Sequence, residues 1–291
     1  MTLSADQIRF IQIETSTICN YRCPYCPVAH FRRAPRRMTL STALRLVEQF
    51  RDFSNLETVF LNGYDEPTLN PDLPLIVSAV LDHPIGLTLF TNATHVTDPL
   101  ITALAAGSER VLVDVHLSAI DPAGVAEMHG FRSADKALRG VRMLSEAART
   151  SGFSLNVGLQ VQSSDPRQQA WAEEAEQFLK SEGIASTRWS PNDRAGILTN
   201  RYGQGAYHRN LRGCGLEERT LSWLHVSAAG SAIICCQDYF EDYIVGDTAD
   251  GRLVDIVQSP RRELYHQWAT GSGEAPEDFI CRRCSHAIGD L

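Results

Sequence analysis

The sequence predicts an α/β protein, a partial, TIM-like (β/α)6 barrel followed by a small cysteine-rich C-terminal extension. Three observations carry that expectation. Strand-like and helix-like segments alternate from residue 9 to about residue 190, the pattern of a parallel sheet with crossover helices. The alternation gives six β/α units in roughly 185 residues, against about 250 for a closed eight-unit barrel, so the barrel is open. After Pro191 the alternation stops, and the chain ends in a C-x2-C pair, Cys281 and Cys284. The expected division is a core over 1–190 and an extension over 191–291.

Taken in order, Phe10–Glu14 is the first strand, and Ser41 is placed to cap a helix running to Phe53 with Leu44, Leu46, Val47 and Phe50 at near-helical spacing. Thr58–Leu61 is the second strand, Leu73–Asp82 a helix and Leu87–Thr91 the third strand. A helix starts at Asp98-Pro99, where proline in the first turn loses no hydrogen bond. Val111–Leu117, a helix over Asp135–Thr150, Leu155–Val161, a helix over Gln168–Glu182 and a short strand Thr187–Ser190 complete the core. In the extension, Trp223–Val226 and Ala232–Cys235 read as a hairpin about Ala228-Ala229-Gly230. Tyr243-Ile244-Val245 and a helix near Ser259–Thr270 follow. Such a segment has little core of its own and is expected to need a metal to fold.

With 291 residues, 43% hydrophobic and 21% charged, the chain can bury a sizeable core and has ordinary soluble composition. A net charge of −8 argues against bulk nucleic-acid binding. Phe31-Arg32-Arg33-Ala34-Pro35-Arg36-Arg37 is a basic exception, either a solvated loop or a cover for an anionic group. No apolar run approaches bilayer length and the N-terminus lacks a signal-peptide pattern, so the expectation is a cytoplasmic protein with no membrane partner. In that reducing compartment eight cysteines are better read as ligands than as disulfides.

The most informative stretch is Cys19-Asn20-Tyr21-Arg22-Cys23-Pro24-Tyr25-Cys26, directly after the first strand. Thiolates hold iron–sulfur clusters, and a cubane normally takes four. Three in one loop leave an iron open, and an open position is where a metal site does chemistry. A structural zinc site, with His30 as fourth ligand, is the alternative, as is a redox pair. The C-x3-C-x2-C spacing, with an aromatic before the last cysteine, resembles the signature of the radical S-adenosylmethionine (radical SAM) enzymes. That resemblance implies a (β/α)6 core, a [4Fe–4S] cluster on Cys19, Cys23 and Cys26, and S-adenosylmethionine (AdoMet) as co-substrate.

Further motifs extend the resemblance. The second strand ends in Asn62-Gly63-Tyr64-Asp65-Glu66-Pro67. In radical SAM enzymes a Gly-Gly-Glu-type motif here holds the methionine amino group. Gly63, Glu66 and Pro67 match, while Asp65 stands where the second glycine would be and adds a carboxylate able to meet an ammonium. Residues at the carboxyl ends of parallel strands line the ligand crevice. By resemblance Asn92 and Ser118 would contact the ribose or carboxylate of AdoMet, with Arg132 a further carboxylate ligand; the alternative for each is a polar loop cap. His116 and His129 read equally well as structural histidines.

Five cysteines remain: Cys214, Cys235, Cys236, Cys281 and Cys284. The set resembles the twitch domain, a shortened SPASM extension with one auxiliary [4Fe–4S] cluster. The family's G-x4-C pattern selects Cys235 through Gly230, giving Cys214, Cys235, Cys281 and Cys284 as ligands and leaving Cys236 over. A four-cysteine zinc site is the alternative. Arg194-Ala195-Gly196 stands at the junction, where the family's arginine faces substrate; an interdomain salt bridge is the other reading.

The resemblance thus implies two [4Fe–4S] clusters, AdoMet, a sugar or aminocyclitol substrate, and a reductant such as flavodoxin or ferredoxin. If the auxiliary cluster accepts an electron, the product is a ketone, and the cysteine spacing resembles that of the family's aminocyclitol dehydrogenases. If Cys236 returns a hydrogen atom, the product is an epimer, as in the family's aminoglycoside epimerases. The dehydrogenase is the first expectation, the epimerase the second and peptide maturation the third. A non-enzymatic metal protein is opposed by the AdoMet-type motifs.

Overall fold

The computed structural model describes residues 3–131, 133–162, 164–198, 207–216 and 219–290. Its main sheet has nine strands. β1 (Phe10–Ile13), β2 (Thr58–Leu61), β3 (Gly86–Thr91), β4 (Val111–His116), β5 (Ser154–Gln160) and β6 (Ala185–Trp189) lie side by side, parallel and in sequence order. Alternation along the strands separates two faces. Val59, Leu61, Leu87, Leu89, Val113, Val115, Val157 and Leu159 point outward into one large core. Their neighbours Gln12, Phe60, Phe90, His116, Gln160 and Trp189 line the concave interior.

The helices α1 (Leu40–Glu48), α2 (Leu73–Leu81), α3 (Asp98–Gly107), α4 (Pro122–His129), α5 (Asp135–Ser151) and α6 (Pro166–Ser181) connect these strands. Thr39, not Ser41, caps α1, accepting Thr42 N–H at 3.2 Å, and the helix gives way to a 3-10 turn at Gln49–Asp52. Sequence reading missed α4. Asp121 caps it through Ala123 N–H and Gly124 N–H, and Gly130, in the left-handed region, ends it.

The extension does not stand apart from this sheet. β8 (Trp223–Val226) pairs parallel to β1 on the side opposite β2, and β9 (Ser231–Ile233) and β10 (Ile244–Asp247) continue outward antiparallel. The expected hairpin is present, with Gly230 at φ 87° in its turn. A second sheet of two antiparallel strands, β7 (Asn210–Cys214) and β11 (Ala287–Asp290), sits against the helix Pro260–Thr270. Leu211, Ile234, Ala269, Ala275 and Phe279 form a small separate core there. Arg262, 4% exposed, donates to the carbonyls of Val257, Thr220, Leu221 and Trp223 and ties that helix to the entry of β8. Among the described residues no helix is long and apolar enough to cross a membrane.

One close approach fixes the wall of the site. Gly140 of α5 lies so near the loop after β3 that a Cβ would come 2.0 Å from the Ala93 carbonyl oxygen. Alanine at 140 improves helix propensity, but the clash outweighs it. Gly140→Ala is therefore expected to lower unfolding stability by about 1–3 kcal/mol, read from the urea midpoint; an unchanged midpoint would contradict this packing.

Candidate active site

Cys19, Cys23 and Cys26 lie at the carboxyl end of β1 and face one cavity of about 730 Å³. Their sulfurs are too far apart for a single ion. Tetrahedral zinc with Zn–S near 2.3 Å needs sulfurs about 3.8 Å apart. Yet His225, Cys235 and Cys236 are the one such group, among the described residues, whose donor atoms all lie within 4.8 Å of one another. His30, the fourth ligand a zinc site would use, turns its Nε2 to the Pro24 carbonyl at 2.8 Å. Burial pushes the thiols of all three up, Cys23 to about 12, and the neighbouring thiols raise Cys19 and Cys23 further. Wider-spaced, half-buried thiols that resist ionising alone fit a multi-metal cluster, whose positive charge would draw off their protons.

Glu66 closes the next wall. Its carboxylate accepts from Thr68 N–H, the Thr68 and Thr91 hydroxyls, and Asn92 N–H, clamping the end of β2 to the end of β3. Gly63 is required by packing, since a Cβ there would come 2.3 Å from Glu14 Cγ. Pro67 opens the short 3-10 turn that Glu66 caps. Asn92 lines the cavity, but its amide is engaged by Asn20 and Thr94. Asp65 corrects the sequence reading. It does not line the cavity: its Oδ2 accepts from Thr15 Oγ1, Ser16 N–H and Ser16 Oγ, its Oδ1 is buried without a partner among the described residues, and burial and the nearby Glu14 hold its carboxyl well above the usual range. Ser118 also stands behind the wall, its hydroxyl accepting Gln160 N–H and its own N–H donating to His129. Arg132 lies outside the described residues.

The other cysteines separate into two groups. Cys214 ends β7, opposite Ala287 of β11, and charge interactions couple it to Cys281 and Cys284. Cys235 and Cys281 pack on the same small core. Cys19, Cys214 and Cys235 each accept the backbone N–H two residues on, at 3.4–3.5 Å. Such donors favour sulfur as a thiolate ligand. Cys236 instead lines the large cavity, where Arg219 Nη1 reaches its Sγ at 3.3 Å. Arg194 lines the same cavity over the Tyr64 ring, at 5.9 Å. Arg194 (φ 51°) and Ala195 (φ 53°) are consecutive non-glycine residues in the left-handed region, strain of the kind that accumulates at functional sites.

Residues 13–170, more than half of the chain, match the Radical SAM superfamily. The chain belongs to the radical SAM superfamily. Residues 214–285 match SPASM, an iron–sulfur cluster-binding domain. The cofactors are therefore AdoMet and [4Fe–4S] clusters, the second cluster coming with the SPASM domain. Among curated proteins, the tungsten-containing aldehyde ferredoxin oxidoreductase cofactor-modifying protein of Pyrococcus furiosus is 26% identical over 34% of this chain. The mycofactocin maturase MftC of Mycobacterium tuberculosis is 26% identical over 50% of it. The matches span 28% and 36% of those proteins' own lengths. BtrN, solved with AdoMet and 2-DOIA, aligns over 96% of this chain and 93% of its own, with TM-score 0.61 and 17% identity. Streptococcus suis SuiB, solved with precursor peptide SuiA, aligns over 96% of this chain and 76% of its own, with TM-score 0.70 and 14% identity. At these identities the likeness shows the fold.

In this radical SAM chain the structure adds site residues that sequence reading passed over. Glu14 accepts Tyr64 N–H and Ala228 N–H and pairs with Arg33, which also reaches Glu241 at 3.9 Å and stacks on Tyr239. The basic loop thus supplies a latch from the barrel to the extension. His225 Nδ1 contacts Gln12 Oε1 at 2.9 Å, and burial holds its pKa well below the usual value. Only the position of Arg33 in an arginine-rich loop beside the cysteines offered a signal. Because Arg33 and Glu14 are largely buried, Arg33→Ala is expected to cost about 3–5 kcal/mol in denaturant unfolding. Arg33→Ala/Glu14→Gln should recover part of that loss by removing the uncompensated charge, and equal losses would contradict this account.

Proposed function

We propose that this radical SAM enzyme inverts a carbon centre of a sugar or aminocyclitol, with Cys236 as the hydrogen-atom donor. One observation carries the reading: of two adjacent cysteines, Cys235 packs with Cys281 on the small core while Cys236 faces the large cavity. A hydrogen donor must touch the substrate and must not be a cluster ligand. When bound, AdoMet and the first cluster supply a 5′-deoxyadenosyl radical that removes a hydrogen atom from a substrate carbon. Cys236 would then deliver its S–H hydrogen atom to the opposite face, leaving a thiyl that one electron from the reductant and one proton from solvent return to the thiol. In the protein alone, the hydrogen bond from Cys235, with Arg219 and Arg194, draws the Cys236 thiol down to about 6. Once Cys235 is a ligand thiolate it has no proton to donate, so the first of these lowering influences is lost, while those of Arg219 and Arg194 remain.

On this reading Cys19, Cys23 and Cys26 hold the first cluster, and Cys214, Cys235, Cys281 and Cys284 the second. Gly63, Glu66, Pro67 and Asn92 form the AdoMet wall, and Arg194 orients substrate. The boundary falls at residue 190, and a reductant such as flavodoxin or ferredoxin supplies electrons. The cavity supports a polyol. Phe60, Phe90 and Trp223 offer flat apolar faces, while Asn62 Oδ1, Tyr64 Oη, His225 Nε2 and Gln237 Oε1 are buried there without hydrogen-bond partners among the described residues. Buried polar atoms without partners call for a ligand with many hydroxyl or amino groups.

The second reading, oxidation of an alcohol carbon to a ketone, draws on the likeness to BtrN over nearly the full length of both chains. A third, peptide modification, draws on the likeness to SuiB. Assay of candidate aminoglycoside intermediates in heavy water separates them. Cys236→Ala should retain both clusters and cleave AdoMet but lose the epimer and its carbon-bound deuterium. A ketone formed equally by parent and variant would overturn the epimerase.

A further inference from the structure

We propose that His129 donates its Nδ1–H to the sulfur of Cys23 and thereby raises the reduction potential of the first cluster. The inference rests on the reading of Cys23 as a ligand and adds to it a residue that tunes the metal. His129 is 0% exposed, at the last turn of α4. Its Nε2 lies 2.9 Å from the backbone nitrogen of Ser118, and its Nδ1 lies 3.6 Å from Cys23 Sγ. A backbone N–H can only donate, so Nε2 is the acceptor. The neutral imidazole therefore carries its one proton on Nδ1, pointed at the sulfur.

The surroundings hold the ring in that orientation. Tyr21, between two of the ligand cysteines, packs against it with centroids 5.1 Å apart. The His129 carbonyl accepts Arg22 N–H at 2.8 Å. Gly130 follows at φ 62°, where a Cβ would come 2.9 Å from Arg22 Cβ. Helix α4 thus seats on the cysteine loop through side chain, backbone and a residue without a side chain. An N–H···S bond withdraws charge from a ligand thiolate. It favours the reduced cluster, which carries one more negative charge, so the potential rises. A purely structural histidine would affect folding but not potential.

The test is an EPR-monitored redox titration of the reconstituted enzyme. The first cluster is recognised by the change in its signal when AdoMet is added, since a fully ligated auxiliary cluster does not respond. His129→Leu should shift its midpoint to more negative potential at unchanged iron and sulfide content. His129→Asn, whose amide nitrogen reaches the place of Nδ1, should stay near the parent, and His129→Gln, whose amide reaches the place of Nε2, should fall with the leucine variant. A leucine or glutamine variant at the parent potential overturns the proposal. If leucine alone strips the cluster, the Asn–Gln pair decides, and equal midpoints overturn it. Loss of the cluster in all three variants also overturns it, because a tuning bond is not needed for assembly. A parent with no AdoMet-responsive cluster would defeat the ligand assignment of Cys23 itself, a separate failure visible before any variant is made.

Discussion

Glu14, one residue beyond β1, is 5% exposed, and its carboxylate accepts Tyr64 N–H at 2.9 Å and Ala228 N–H at 3.2 Å while pairing with Arg33. Removing a carboxylate from water costs several kcal/mol unless charge and hydrogen bonds replace the lost solvent. Here the replacements come from three distant segments: the turn after β2, the β8–β9 turn, and the basic loop after the cysteines. One desolvated group therefore makes three loops at the active end of the barrel depend on one another. Gly63 follows from the same constraint, because the Glu14 stem occupies the space where its side chain would stand. Asp65, its neighbour in the motif, bonds to Thr15 and Ser16 and secures the chain just beyond Glu14.

Much of this architecture was legible in the sequence because it is periodic. Val59 and Leu61 alternate with Thr58 and Phe60 as outward and inward faces require, and the apolar spacing of α1 marks the side it buries. The cysteine loop was legible because its three cysteines are neighbours in sequence. What was hidden depends on pairing at long range. Nothing in Trp223–Val226 says that it will lie parallel to β1, nor in Asn210–Cys214 that Ala287–Asp290 will join it. Helix α4 was missed because eight residues with an internal glycine carry a weak apolar stripe; its capping aspartate and Pro122 were the available signals. His129 and Cys23 are 106 residues apart, so their contact had no local signature. Asp65 shows the converse limit: its chemistry was plain, but its direction was set by the loop after β1.

The adjacency of Cys235 and Cys236 gains physical meaning once their surroundings differ. Leaving β9, the chain packs Ile234 and Cys235 against the small core with Phe279 and Cys281, while Cys236 lines the cavity, the two sulfurs and a His225 nitrogen all lying within 4.8 Å of one another. One peptide bond thus joins a residue packed on the small core to one that lines the open interior of the barrel. On the epimerase reading, this places the sulfur that gives up hydrogen beside a ligand of the second cluster. The electron that, with a solvent proton, restores the thiol then has one residue to cross. On the dehydrogenase reading the same adjacency offers a route outward for the electron that leaves substrate. Both chemistries use one wire in opposite directions, so a fold shared with BtrN cannot choose between them. What chooses is whether the sulfur at the cavity end carries a hydrogen atom when the substrate radical meets it.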